Sequence, residues 1–579
     1  MKNKQRLSPV EIVFLVLSAV FMINYFMVPL GADQQSMMSF PHLAFHQYGG
    51  GIGGIMNSWD MKPFGFRIIY SLLYRTATCF ADFWNKPAFE FALKLSYFLF
   101  FAGISAFVAR RLSLVFGVRM KSAFFFLTAV FLASSFVTSL QAEEIAALLA
   151  VLAVGLLVGG GTFSFALAGF VAAYVIYIKF VTAALSVFVF FIAAYLLWCG
   201  LATWKKFLVF CMSGIISALL IALLVYCFFP GEVNNVHITR ELQHGARFDF
   251  TPRVLWSMFR SHTLIFRGSL ADHAFYVGGA ALSMLALALT AAMKKPVEAG
   301  LILVSYVLCL APVVAQNRAF GYHFMTVLPA FLTGAWFYFR LVGQLGVPDL
   351  RRLRLLYGGI IILLIAYPHL PRLVRIFLVV VGPMGVMMAI MDLLSRLGGW
   401  NVLRALRRAI IAAAVIWVGF GVLLYAMFFS PLGKYYPDSI VRRYLPFKWY
   451  YSYGEYSKTV EQQKQAALCA RSIIESKHEK ILYIQFGGPS YFLGNPSHSI
   501  FFSSVPLARG WYDVPLFNKT LNEVLEYNGR YIVSDTWVDI DRIAELRRML
   551  ASGYKKHDCG IWTVYSRYFH LPNRVKNVR

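Results

Sequence analysis

Two carboxylates, a lysine and an arginine fall within one stretch, residues 31–67, directly after the first apolar run. Asp33 stands in G-A-D-Q-Q, and Asp60, Lys62 and Arg67 stand in W-D-M-K-P-F-G-F-R. A carboxylate with a pKa of about 4 works as a general base once a hydroxyl is held against it. Cations beside it lower the barrier to a departing phosphate, whose negative charge grows in the transition state. Together these residue types suit transfer of a group from a phosphate carrier to a hydroxyl. Glu143 and Glu144 open a later apolar run and add two acids. Lys179 sits between apolar runs in Y-V-I-Y-I-K-F, where an inward-facing ammonium binds a lipid phosphate. Arg253 and Arg260 are seven apart, two helical turns, so they share a helix face. Arg318 lies in Q-N-R-A-F-G-Y-H-F, beside Tyr322 and His323. Arginine forks fit phosphate oxygens bidentately.

Each of these residues also has a plain structural reading. Asp33 reads as the polar end of a span. Glu143 and Glu144 read as first-turn acids favoured by the helix dipole. Lys179 reads as a lysine snorkelling to the interface. Arg240, Arg247, Arg253, Arg260 and Arg267 read as a solvated loop, because long translocated loops escape the charge rule. What separates the readings is company on one side of a membrane, which depends on the elements that carry the residues.

The chain has 579 residues, 59% hydrophobic and 14% charged, where a soluble protein would carry roughly a quarter charged. Its mean hydropathy is +0.63. Apolar windows of span length fall at about 10–30, 88–108, 122–140, 143–159, 162–178, 181–201, 207–229, 274–292, 298–315, 322–340, 355–368, 374–394 and 409–429. The expected fold class is therefore a polytopic α-helical membrane protein of about 13 spans, the 355–368 run being short enough to be re-entrant. A retained first span fits the amino terminus better than a cleaved leader, since no small-residue cleavage site follows it. Arg110/Arg111, Lys205/Lys206, Lys294/Lys295, Arg351/Arg352 and Arg404/Arg407/Arg408 then fall with the amino terminus on the cytoplasmic side of an inner, plasma-type membrane. Loops 31–87 and 230–273 and the tail from 430 fall outside. The net charge of +27 is thus spent on topology and anionic lipid, and nucleic acid is excluded as a partner.

Residues 1–429 form the expected transmembrane domain and 430–579 a soluble extracytoplasmic α/β domain. In that tail Lys458–Lys477, Leu516–Tyr527 and Ile540–Met549 read as helices. Ile481–Phe486, Ile500–Ser503, Tyr531–Ser534 and Ile561–Ser566 read as strands. In the first loop Phe64–Phe83 reads as an amphipathic surface helix. Of seven cysteines, only Cys469 and Cys559 lie in the tail, where an oxidising compartment would allow them to pair.

Taken in order, these residues resemble the GT-C superfamily of integral-membrane glycosyltransferases, in the branch of protein O-mannosyltransferases and the lipid A aminoarabinose transferase. Asp33-Gln34 stands where that family commonly has Asp-Glu, and Lys62-Pro63-Phe64 where it has a Lys-Pro-Pro-like stretch. Glu143 or Glu144, Lys179, and Tyr322 through Leu328-Pro329-Ala330 match its later motifs. Gln34 and Phe64 depart from the pattern, which leaves Asp33 as the base of its motif. The resemblance implies a sugar donor on a polyprenyl phosphate, an acceptor hydroxyl on a lipid, glycan or protein, and inversion at the anomeric carbon. It leaves open a divalent cation shared by Asp33 and a later acid. A transporter or flippase, or a polymerase or ligase using a lipid-pyrophosphate donor, are the alternatives; the first predicts ionisable residues at mid-membrane.

Overall fold

The computed structural model describes residues 32–46, 63–116, 140–228, 293–316, 325–344, 448–485, 488–498, 515–536 and 538–568, with isolated positions at 15, 22, 25, 26, 30, 127, 283, 286, 287, 290 and 507. After Leu30 the chain enters helix α1 (Ala32–His46), so Asp33 lies in the first turn of a new helix rather than at the end of a span. Helix α2 (Phe64–Thr78) follows; it buries Phe66, Tyr70, Leu73, Tyr74 and Ala77 along one face and is shorter than the sequence suggests.

The apolar bundle comprises α3 (Lys86–Phe116), α4 (Ala142–Leu157), α5 (Thr162–Ile178), α6 (Ala183–Trp198), α7 (Trp204–Phe228), α8 (Pro296–Gln316) and α9 (Leu328–Gln344). Among the described residues, four segments are long and apolar enough to cross a membrane: Lys86–Val115, Phe180–Trp198, Trp204–Phe228 and Pro296–Val313. They overlie the expected spans 88–108, 181–201, 207–229 and 298–315. Thr162–Ile178 and Met325–Phe337 are apolar but shorter. The expected spans at 10–30, 122–140, 274–292, 355–368, 374–394 and 409–429, and the loop 230–273, lie wholly or largely outside the described residues. Helix α4 is apolar on every side and enclosed by α3, α5, α6 and α9. At Gly169 a Cβ would come within 2.3 Å of the Phe210 carbonyl oxygen, so this glycine lets α5 and α7 touch backbone to backbone.

The bundle has two chemically different ends. At one, the α4–α5 turn accepts hydrogen bonds from cations on flanking helices: Arg111 to the Gly159 carbonyl (3.3 Å) and Lys206 to the Gly160 carbonyl (2.9 Å). Arg340 donates to the Tyr195 hydroxyl at the same end (2.9 Å), close to Glu298 at the start of α8. The other end carries the first turn of α4 and the last of α5.

Beyond α10 (Lys448–Ile473) comes a four-stranded sheet of β1 (Ile481–Ile484), β2 (Tyr531–Asp535), β3 (Tyr554–Cys559) and β4 (Trp562–Arg567), in the order β1-β2-β4-β3. Strands β1 and β2 run parallel; the other pairs are antiparallel. Three helices accompany the sheet: α11 (Gly488–Leu493), α12 (Pro515–Leu525) and α13 (Ala544–Gly553). Side chains alternate across the pleat. Tyr483, Val533 and Val564 join the core that continues into the bundle, whereas Leu482, Ile484 and Ile532 pack with Leu546 and Leu550 of α13. The expected tail helices and strands recur with shifted ends. The expected strand at 500–503 lies outside the described residues, and β3 and α11 are additions.

Cys469 on α10 and Cys559 at the end of β3 form a disulfide across a separation of 90 residues, with a Cα–Cα distance of 5.5 Å. Closing a loop of that size restricts the unfolded chain by about 4.6 kcal/mol on the chain-entropy account. Cys469→Ser with Cys559→Ser should therefore lower the thermal midpoint of the detergent-solubilised protein; an unchanged midpoint would show that the link adds nothing to stability.

Candidate functional site

Helix lengths shape the end opposite the Arg111–Lys206 cluster. With a rise of about 1.5 Å per residue, α4 spans roughly 24 Å and α3 roughly 46 Å, against a hydrocarbon core of about 30 Å. Because Arg111 is level with the far end of α4, the amino-terminal turns of α3 overhang its acidic end. Tyr97 of α3 is within the field of Glu144, so the turns from Lys86 to Lys94 stand above it as a wall. The acids therefore lie buried beneath those turns, at the amino-terminal end of α4.

There Glu143, 1% exposed, accepts a hydrogen bond from the Lys179 ammonium at 2.5 Å. Lys179 is the residue after α5, so a hairpin turn at the far end brings the two together across 36 positions. Glu144, also buried, reaches back to accept the Leu140 amide (2.9 Å). Leu140 has φ of +67°, and the carboxylate holds this strained turn at the mouth of α4. One acid is thus ion-paired and the other caps a helix.

Arg67 is 2% exposed on α2, with its guanidinium over the Phe40 ring of α1 (5.9 Å). Helix α2 reaches the bundle through Gly65, where a Cβ would come within 2.7 Å of the Tyr177 carbonyl oxygen. The Tyr174 hydroxyl donates to the Gly65 carbonyl (2.9 Å). Tyr177 lies two residues before Lys179, so α2 places Arg67 at the same end as the Glu143–Lys179 pair. Arg67, Glu143, Glu144 and Lys179 thus lie at one end of the bundle, with Glu143 and Lys179 in direct contact. The backbone of Asp33 lies in α1, which packs on α2; its side chain is outside the described residues, as are Asp60, Lys62, Arg253, Arg260, Arg318, Tyr322 and His323.

Among the described residues no three His, Cys, Asp or Glu side chains gather as a cation site requires. Glu143 faces an ammonium and Glu144 a backbone amide; Asp33, the other acid of the expected cation pair, has its side chain outside the described residues.

Helix α3 carries an ionisable ladder that is not among the sequence-predicted site residues. Lys86, Glu90 and Lys94 recur every four residues, on one face of the helix. The Lys86 ammonium sits 3.1 Å from the Phe83 ring centroid and 4.2 Å from that of Tyr491. Glu90 accepts the Tyr491 hydroxyl (3.0 Å) and the Leu30 amide (3.4 Å). Burial, reinforced by the Glu90 carboxylate, holds the Tyr491 phenol protonated well above its usual range. Three ionisable residues inside an apolar span were a readable signal of a buried polar face.

No family model matches the chain, and no curated protein matches it. Among solved structures, it is similar to the archaeal oligosaccharyltransferase AglB from Archaeoglobus fulgidus, solved in complex with an inhibitory peptide and a dolichol-phosphate. That likeness has a TM-score of 0.35 and 12% identity, over 98% of this chain and 74% of that one. At this level it assigns neither fold nor activity.

Proposed function

We propose that this chain is a membrane glycosyltransferase that moves a sugar from a polyprenyl-phosphate donor to an acceptor hydroxyl on the outer face, with inversion. The observation that supports it most is the division of the bundle: topology-setting cations at one end, and the buried side chains of Glu143, Glu144 and Arg67, with Lys179, at the other. Two independent rules support an outer position for that end. Basic loop residues stay cytoplasmic, and the Cys469–Cys559 bond on the opposite flank belongs in an oxidising compartment.

In this reading Asp33 takes the acceptor proton as the new bond forms at the anomeric carbon. The bond from that carbon to the phosphate oxygen breaks, and the lipid phosphate leaves with its electron pair. Lys62, Arg67, Lys179, Arg253, Arg260 and Arg318 meet the growing charge, with Tyr322 and His323 beside them. Asp60, Glu143 and Glu144 line the acceptor side and orient these cations. Nothing in the step requires a metal.

The test is incubation of the purified protein with a panel of polyprenyl-phosphate sugars and candidate acceptors, following donor consumption. One donor should be consumed, and Lys62→Ala and Arg260→Ala should each raise its KM about tenfold, the loss of one charge-assisted hydrogen bond. Unchanged KM in both removes them as phosphate ligands. Donor crossing the bilayer with its sugar intact would establish transport instead.

A further inference from the structure

We infer that the C-terminal sheet region is a positioning device for the proposed site, acting through both peptide groups of Leu30, three residues before Asp33. The Leu30 amide donates to Glu90 Oε2 (3.4 Å), and Glu90 Oε1 accepts the Tyr491 hydroxyl (3.0 Å). The Leu30 carbonyl accepts from Gln35 Nε2 (2.9 Å), which also donates to Gln463 Oε1 (3.1 Å). Two relays thus begin on one residue and end on α11 and α10.

The parts are buried and close-fitted. Leu30 is 2% exposed, Gln35 1% and Tyr491 0%. Gly488 opens α11 over the second relay, where a Cβ would stand 2.9 Å from Gln463 Nε2 and 3.8 Å from Gln35 Oε1. Helix α10 is bonded to β3 through Cys469, so the far anchor is the sheet itself. The near side is fixed to α3 as well: the Tyr25 hydroxyl donates to the Lys94 carbonyl and the Lys94 ammonium to the Phe26 carbonyl.

Simple adhesion between the two regions would be met by the apolar contacts around Phe83 and Tyr491. Hydrogen bonds that grip one residue through the peptide groups on both of its sides instead fix a direction, here that of the first turn of α1. Glu90, Gln35, Gln463 and Tyr491 are therefore positioning residues, and a carboxylate displaced by about 1 Å from its acceptor loses on the order of a hundredfold in rate.

This rests on the transferase reading, so the test separates the two. In the full-length protein, Tyr491→Phe and Gln463→Leu should each speed amide exchange across residues 32–46 about tenfold, as expected when a local anchor is lost. Each should lower kcat about tenfold with the donor KM within twofold, and the pair about a hundredfold, since the relays are separate. Gln463→Glu keeps the acceptor for Gln35 and should restore both readouts, which distinguishes positioning from loss of fold. Exchange unchanged in both variants overturns the clamp whatever the reaction. Faster exchange with unaltered kcat overturns its role in positioning. Faster exchange in a protein that consumes no sugar donor upholds the clamp and removes the transferase reading.

Discussion

Asp33→Asn is expected to lower turnover by about 10²–10⁴-fold while the protein stays folded, because it removes a positioned proton acceptor and little else. The substitution keeps size and shape. It removes one negative charge from the first turn of α1, where an acid gains about 0.3–1 kcal/mol from the helix dipole. A transferase that used Asp33 only as a helix-opening residue would show that small loss in stability and no loss in rate. The measurement is single-turnover consumption of the donor identified by the panel, together with donor affinity. Affinity should be nearly unchanged, since the base acts on the acceptor. Undiminished turnover in Asp33→Asn would remove this residue as the base and with it the central step of the mechanism.

The parts of this molecule that read clearly from sequence are those whose signal is local. Residues 143–159 and 162–178 are apolar at nearly every position, and α4 and α5 appear where that run of composition places them. The tail strands at 481–484 and 531–535 are largely buried apolar and aromatic runs, and they form the sheet's parallel pair. Helix α1 escaped because its fifteen residues mix apolar, amide and histidine side chains and include Pro41. Strand β3 escaped for a different reason. It is an edge strand, Y-K-K-H-D-C, whose lysines face solvent and discourage further pairing, so it carries no hydrophobic alternation.

Site geometry was harder still. Asp33, Glu143, Lys179 and Arg67 were legible as chemical types near span ends. Their grouping depends on a hairpin 36 residues long for Glu143–Lys179, and on the fit of Gly65 against Tyr177 for Arg67. The bond between Glu90 and Tyr491 crosses 401 positions, a distance at which periodicity and spacing say nothing. Lys86, Glu90 and Lys94 stood in plain view as charges in an apolar helix; only their partners were hidden.

The Glu143–Lys179 pair yields the second large effect, and it separates a structural strut from a donor contact. Glu143 is 1% exposed and Lys179 30%, so removing the ammonium takes the paired cation from a carboxylate that water does not reach. Breaking a fully buried pair costs about 3–5 kcal/mol; with the lysine partly solvated, Lys179→Met should cost about 2–4 kcal/mol. Glu143→Gln should cost about 1 kcal/mol, because the amide oxygen still accepts from the ammonium. Glu143→Leu with Lys179→Met removes both charges, and stability should return to within about 1 kcal/mol of the parent protein. Donor binding follows a different order. If Lys179 meets the lipid phosphate, Glu143→Gln relieves it of a competing anion and should lower the donor KM. The double variant, though stable, should raise that KM about tenfold, as the loss of one charge-assisted hydrogen bond requires. Thermal unfolding and donor kinetics on the same three variants decide it. Should the double variant recover stability and donor KM together, Lys179 is a strut for Glu143, and the phosphate must be held by the arginines and Lys62 alone.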